Sequence, residues 1–459
     1  MRRKSLVISL FIVLAMIVST SAQTKKERDA AKQLQAQADK SFQAKNYRDA
    51  ADKYGLVLKV FPNDANLHFS KGSAHYNLQE YDAALTEFNA AQAQGYKPLL
   101  PIYKVRAYIY QEQKNYDAAL GEVQKGLAIA PNDVQLTLGL GDVYLAKNDN
   151  ANALTALQRA QTIAPNNAEV DYNIARVEMA MGDANAQKAA ATRALAKGTR
   201  FVGETHYILA DACFKQGDNP CAIDAYQKAV TAKPDLYDAY RNLGGIFRSE
   251  GRYTDAIAIC KQGLKAFPND GNFYTDLSWY YSLADQPENA VAAGKAAVQL
   301  LPSQYMGYTN LCRAYNETKA YELAISTCNS ALRMQPGDGE TYFYMARASD
   351  GLKKTSDATR YYGLAVKGLA DFVKANPNYS DAWYLLGNAY FADNQRDKAV
   401  DAYKKALVLS PNFPKARFNL GVTYTVMKNK AGAMEQYNGL KPLDAKLADK
   451  LKTDYIDKM

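Results

Sequence analysis

The chain has 459 residues, 48% hydrophobic and 22% charged, an ordinary balance for soluble protein. Its formal net charge is +9, but basic and acidic residues interleave without the basic stripe that a phosphate backbone demands, so no nucleic-acid partner is expected. A chain this long usually forms two to four globular domains, unless a repeating unit sets its length, because a stack grows without needing a larger central core.

Residues 2 to 4 are basic, an apolar run follows from Leu6 to Val18, and the small residues Ser19 to Ala22 come next. Thr20 and Ala22 suit cleavage subsites, which predicts a secretory signal peptide over residues 1–22. The apolar run is short for a membrane span and no cysteine follows it to take a lipid; a retained anchor is the alternative. Removing Arg2, Arg3 and Lys4 leaves 53 basic against 47 acidic residues. After a short lead at 23–30, the mature chain is expected to be exported, periplasmic or secreted, and without a membrane span.

From residue 31 a pattern of paired helices recurs. Prolines that would close such pairs stand at Pro62, Pro131, Pro165, Pro234, Pro268, Pro302, Pro336, Pro377 and Pro411, spaced by about 34 residues or about its double, with one longer gap. The first pair carries Ala38, Phe42, Tyr47, Ala50 and Tyr54, and the second Gly72, Tyr76, Tyr81, Ala84 and Phe88. The third has Ala107, Tyr110, Tyr116 and Ala119; the fourth has Gly141, Tyr144, Ala153 and Ala160. The fifth, from Ala168, has an alanine-rich second helix, Ala191 in place of an aromatic, and no closing proline, so fraying or a hinge is expected there. Pairs six to nine begin at Gly203, Tyr237, Gly271 and Tyr305 in unbroken register. The tenth, from Gly339, has a second helix lengthened over 356–375, whose added turns, about 10 Å long, are expected to protrude as a spacer.

The clearest unit runs from Ser380 to Phe413, SDAWYLLGNAYFADNQRDKAVDAYKKALVLSPNF. Trp383, Leu386, Gly387 and Tyr390 share one face of its first helix, and Ala399, Tyr403 and Ala406 one face of its second. Small Gly387 and Ala399 allow close approach. This segment resembles the tetratricopeptide repeat, a 34-residue helix-turn-helix unit. The resemblance implies an all-α solenoid, a right-handed superhelix of about twelve repeats over 31–442. A last repeat holds Gly421, Tyr424, Ala433 and Tyr437, and residues 443–459, with Leu443, Leu447 and Leu451, read as a capping helix.

Cys213 and Cys221 flank the turn of the sixth repeat, a spacing that resembles the clip of the cysteine-rich helical repeats related to the Sel1 family. Cys312 and Cys328 occupy facing core positions of the ninth repeat, and Cys260 is left over. Two disulfides or five buried thiols both fit these positions. His68, His75 and His206 fall where the frame places packing aromatics, so no metal is expected. No nucleophile motif or phosphate loop lies outside the repeats, so no enzyme and no cofactor are expected. An enzyme hidden in the groove would show a cluster of perturbed ionisable groups.

The resemblance implies that first helices line a concave groove for protein partners. At the position before the Leu-Gly pair stand Asn173, Asn242, Asp276, Asn310 and Asn419, and in related superhelices an asparagine ladder here holds a peptide backbone. Ile208, Tyr344 and Leu385 interrupt the ladder. Arg241, Arg313 and Arg347 are predicted to face the same groove, with Trp279, Phe343 and Tyr344 beside them, a composition suited to acidic groups on an extended peptide. The alternatives are that the asparagines bond to neighbouring helices, or that the aromatics bind glycan or peptidoglycan fragments. The lysine and asparagine pattern with which the family clamps chaperone tails is absent. The reading is a non-catalytic interaction scaffold of the cell envelope.

Overall fold

The computed structural model describes residues 25–459; the segment 1–22, for which a signal peptide is expected, lies outside them. The described residues form α-helices joined by short turns, with no strand among them, an all-α helix-turn-helix solenoid in two compact units that meet in sequence between Arg200 and Phe201. Unit 1 holds α1 (25–43), α2 (Tyr47–Leu58), α3 (Ala65–Asn77), α4 (Tyr81–Ala93), α5 (Leu100–Glu112), α6 (Tyr116–Ile129), α7 (Val134–Ala146), α8 (Asn150–Ile163), α9 (Ala168–Met181) and α10 (Ala184–Ala196). Unit 2 begins with α11 (Val202–Lys215), α12 (Asn219–Ala232), α13 (Tyr237–Ser249), α14 (Tyr253–Ala266), α15 (Gly271–Leu283), α16 (Pro287–Leu300), α17 (Tyr305–Glu317) and α18 (Tyr321–Met334). It continues with α19 (Gly339–Gly351), α20 (Thr355–Ala375), α21 (Ser380–Ala392), α22 (Arg396–Leu409), α23 (Pro414–Val426), α24 (Lys430–Leu440) and α25 (Ala445–Asp454).

Local chemistry sets the punctuation. Asp64, Asp133, Asp149, Asp218, Asp270 and Asp338 accept hydrogen bonds from the free N–H groups of the helices they precede. Residues before the closing prolines leave the helical region, as at Ala164 (φ −135°), Leu301 (φ −126°) and Ser410 (φ −136°). Each hairpin turn places one residue in the left-handed region. Lys45, Gln79, Lys114, Asn148, Gly182, Gly217, Gly251, Asp285, Lys319, Lys353, Asn394 and Lys428 recur every 34 or 35 residues, except where α20 is longer. Polar tips tie the hairpins together: Trp383 Nε1 donates to the Pro377 carbonyl at 2.8 Å, and the Tyr240 and Tyr308 hydroxyls donate to Pro234 and Pro302 at 3.2 Å. His68 Nε2 makes the same contact with Pro62 at 3.0 Å, while its Nδ1 lies 2.6 Å from Glu87.

Packing follows size complementarity. A Cβ on Gly387 would stand 2.5 Å from the buried Tyr403 ring, so the absence of a side chain there is what lets α21 lie against α22. The fifth hairpin, α9 and α10, is tied down rather than frayed. Ala190, Ala191 and Ala194 are fully buried, and the buried Asp171 carboxylate accepts from Arg193 Nε at 2.8 Å, Gln161 at 2.9 Å and Lys197. At the C-terminus α25 is shorter than the predicted helix and ends in a 3-10 turn (Ile456–Lys458). Its Leu451 is fully buried over Gly421, and Leu447 packs alongside.

Disulfides join Cys213 to Cys221, with Cα atoms 5.7 Å apart, and Cys312 to Cys328, 5.4 Å apart. The buried Cys260 is unpaired, its thiol donating to the Phe273 carbonyl at 3.2 Å. Cys312 and Cys328 are both fully buried and 16 residues apart, so opening their bridge frees a loop worth about 3 kcal/mol on chain entropy. Urea unfolding of the Cys312→Ala, Cys328→Ala protein should show a midpoint lowered accordingly; an unchanged midpoint would mean that packing alone holds α17 to α18.

Candidate functional site

The inner face of unit 2 comes from helices that pack on their second neighbours, α15 on α17, α17 on α19, and α21 on α23. The 34-residue step brings Trp279, Arg313 and Arg347 to equivalent places on α15, α17 and α19, and Asn388 follows on α21 after the longer α20. They line a cavity of about 780 Å³ together with Glu317, Glu340, Phe343, Tyr344, Phe372, Tyr379, Tyr384, Lys415 and Asn419.

The cavity is closed by contacts between residues more than 120 positions apart. Arg248, at the end of α13, forms an ion pair with Asp381 on α21 and stacks on the Trp279 ring at 4.3 Å. Ser410 Oγ donates to the Ser249 carbonyl at 3.1 Å, and Lys415 Nζ donates to the Leu283 carbonyl at 3.0 Å. The turn after α13 therefore touches the segment between α22 and α23, so the stack curls back on itself and its groove becomes a chamber.

Arg313 is the centre of the floor. It is buried, donates from Nε to the Tyr344 hydroxyl, pairs through Nη2 with Glu340, and lies 5.7 Å from the Trp279 ring centroid. Its Nη1 and the Glu317 Oε2 are buried without a hydrogen-bond partner. Burial pushes the Glu340, Glu317 and Asp338 carboxyls above their ordinary range, against the pull of Arg313 on the first two and of the Thr341 hydrogen bonds on the third. It raises Asp276 likewise, against Arg241, whose Nε donates to Asp276 at 2.9 Å.

Seven of the eleven predicted groove residues line this chamber: Trp279, Asn310, Arg313, Phe343, Tyr344, Arg347 and Asn419. Arg241, Asn242 and Asp276 stand outside it, and Asn173 belongs to unit 1. The asparagines are occupied by their neighbours. Asn173 accepts from Arg176 at 2.9 Å, Asn242 donates to the Tyr226 hydroxyl at 3.2 Å, and Asn310 donates to the Thr275 carbonyl at 3.1 Å. Asn419 donates to Asn388 Oδ1 at 2.7 Å. Asn173 thus bonds within its own helix α9, and the other three bond between helices, where an amide on a packed helix finds a partner on another one. Phe343 and Tyr344 are mostly core. Sequence reasoning missed Glu317, Glu340, Asp381, Arg248 and Lys415. Glu317 carried a signal, four residues after Arg313 on the same helical face; the others depend on the closure.

The added turns of α20 do not simply protrude. Leu369 and Val373 are buried and Phe372 lines the chamber. Among the described residues no helix is long and apolar enough to cross a membrane.

Glu317 gives a pH test. Because its carboxyl titrates above the ordinary 4.5 in the folded chain, its contribution is intact below that pH and is lost as pH rises through the folded value. Glu317→Gln removes this loss, so the variant should match the native chain near pH 4 and exceed it in thermal stability at pH 8. An equal gap at both pH values would mean that the buried carboxylate is adequately solvated.

Family models described as tetratricopeptide repeats match residues 36–98, 110–170 and 239–270, and one described as TPR repeat matches 210–247 and 387–425. The chain is similar to a peroxisomal targeting signal receptor of Kluyveromyces lactis, 33% identical over 73 residues, covering 16% of this chain and 13% of that protein. A small glutamine-rich tetratricopeptide repeat-containing protein 2 of Mycosarcoma maydis is 27% identical over 131 residues, 28% of this chain and 37% of that one. The match thus spans well under half the length of either relative. Among solved structures, yeast Tom70 aligns over 92% of this chain and 94% of its own at 15% identity and TM-score 0.38. A tetratricopeptide repeat protein from Parabacteroides merdae aligns over 55% and 97% at 14% identity and TM-score 0.38. Proteins built from these repeats generally serve as protein-interaction scaffolds, and this chain carries tetratricopeptide repeats in both of its units.

Proposed function

We propose that the protein is an exported, non-catalytic scaffold of the cell envelope, periplasmic or secreted, that holds a partner protein by a peptide segment lodged in the unit 2 chamber. The observation that supports it most is Arg347. This guanidinium is exposed on the wall of an aromatic-lined cavity and makes no hydrogen bond or ion pair there. Arginine beside aromatic rings is the composition of binding hot spots. The test is co-purification from the native envelope of the tagged chain beside its Arg347→Glu variant, which breaks no hydrogen bond or ion pair. A partner protein carried by the native form and lost by the variant is expected; identical partners on both would overturn the chamber as the binding site. Recovery of the untagged protein in the osmotic-shock fraction checks its compartment.

A glycan reading fits less well, because the Trp279 face that a sugar would stack on is covered by Arg248 at 4.3 Å. Titration with cell-wall fragments should leave tryptophan fluorescence unchanged. The shifted carboxyls look at first like a catalytic cluster. Yet Glu340 is committed to Arg313, Asp338 caps α19 and Asp276 pairs with Arg241, so burial with structural partners accounts for these three, and Glu317 alone is not the pair of groups that acid-base chemistry needs.

A further inference from the structure

The repeat period breaks once, and the break falls at the chamber. The residues that lengthen α20 bring Phe372 to the wall, where its ring meets Tyr379 edge-on at 5.8 Å, and Met306 of α17 lines the same cavity. These large apolar side chains stay open to solvent, Met306 at 48%, Phe372 at 42% and Tyr379 at 38%, while most of the chain's aromatic rings are packed away. An apolar lip on a concave site gains free energy when a ligand covers it.

The acidic groups on the same wall already have partners. Glu340 is neutralised by Arg313 and Asp381 by Arg248, and the Asp338 carboxylate is taken up by the Thr341 N–H and hydroxyl. Glu317 feels Arg313, Lys415 and Arg347 together, with the Ser282 hydroxyl beside it. Lys415 also pairs with Asp285 at 3.5 Å, so Arg347 is the one cation of this group that makes no ion pair or hydrogen bond. Closure by the Arg248–Asp381 pair limits the space to about 780 Å³, room for a few residues rather than a peptide threading the whole stack.

Resting on the reading that the chamber takes a peptide, we infer that its occupant is a short amphipathic acidic segment. A bulky apolar side chain sits on the lip of Met306, Phe372 and Tyr379, and an aspartate or glutamate carboxylate pairs with Arg347. The lengthened α20 is then the specificity element of the site. A regular 34-residue repeat would end that helix before Phe372.

The full mature chain is tested by affinity selection from a fully randomised heptapeptide library, N-acetylated and C-amidated so that chain termini carry no charge. Enriched peptides should pair Leu, Phe, Met or Trp with Asp or Glu. Selection on Phe372→Ala, Tyr379→Ala protein should lose the apolar preference, and selection on Arg347→Gln protein the acidic one. Each variant should bind the best native peptide about tenfold more weakly, the scale of one charge-assisted contact or one large apolar contact. Leu323→Ala, which trims an exposed apolar residue on α18 away from the cavity, should change nothing. Enriched peptides without that pairing, or preferences that survive the variants, would overturn the inference while leaving peptide binding intact. No enrichment on the native chain would overturn both. The variant positions are exposed, and unchanged circular dichroism confirms that each loss is one of binding.

Discussion

Arg313→Ala is expected to destabilise unit 2 by about 3 kcal/mol, the lower end of the cost of breaking a buried ion pair, since Arg313 is buried while the Glu340 side chain is 28% exposed. Two losses add. Glu340, whose carboxylate pairs with Nη2, is left without its cation, and the Tyr344 hydroxyl loses its donor. The guanidinium also fills the space between the Tyr344 and Trp279 rings, 4.9 and 5.7 Å from their centroids, so truncation leaves a void between α15, α17 and α19. The two are separated by Arg313→Met, which keeps the volume and removes the charge. Both tryptophans, Trp279 and Trp383, lie in unit 2, so denaturant unfolding followed by tryptophan fluorescence reports this unit alone.

The sign of the pH dependence follows from Glu340. Its carboxyl already titrates above the ordinary range because burial outweighs Arg313. A raised value means that stability is intact at low pH and lost as pH rises through the folded titration. Without Arg313 the shift grows, so the deficit of the alanine variant should be larger at pH 8 than at pH 4. A deficit independent of pH would assign the cost to the void rather than to the stranded carboxylate.

Gly339→Ala should be nearly as damaging, and more so than the same change at Gly271. Both glycines open a first helix against the second helix of their own hairpin, but what they meet differs. A Cβ on Gly339 would fall on the α20 backbone, against the Leu369 nitrogen and within 2.7 Å of the Gly368 carbonyl carbon and 2.8 Å of the Ala365 oxygen. Backbone in mid-helix cannot step aside, so α19 must lift off α20, at about 3 kcal/mol, the upper end of overpacking costs. A Cβ on Gly271 comes closest to the Leu301 side chain beyond its Cβ, which can rotate away, and only at 3.1 Å to the fixed Leu300 Cβ. Thermal unfolding should rank the native chain above Gly271→Ala and that above Gly339→Ala. Equal losses would mean that the α19–α20 crossing relaxes as freely as its neighbour. Gly368 faces the crossing from the other side, where a Cβ would meet the Gly337 oxygen at 2.5 Å, so its alanine variant should share the larger loss.

Much of the fold is legible in the sequence because each hairpin repeats the same local problem. In most of them a proline closes the unit, in several an aromatic tip reaches that proline's carbonyl, a small residue admits the next helix, and a left-handed residue turns the corner, all within about 34 residues. These are short-range requirements, so residue type and spacing specify them, and Trp383, Gly387 and Tyr403 take their places on that basis alone. The fifth hairpin escapes such a reading for the same reason. Its alanine-rich face looks weak along the sequence, whereas its anchor, Asp171 with Arg193 and Lys197, is polar and reads like surface charge.

The candidate site divides along the same line. That Trp279, Arg313 and Arg347 share one face follows from the chain alone, because a constant repeat length carries equivalent positions to equivalent places. The departure of α20 from this rule is equally plain in the residue count. Three things needed the packed molecule: that Asn242, Asn310 and Asn419 bond to other helices, that Arg313 is a buried structural cation while Arg347 is free, and that the groove is a chamber. That last point depends on the accumulated rotation of the hairpins from α13 to α23, which brings Arg248 to Asp381 and Ser249 to Ser410. Small angular increments set by packing at each step add over the stack, and no local pattern of residues encodes their sum.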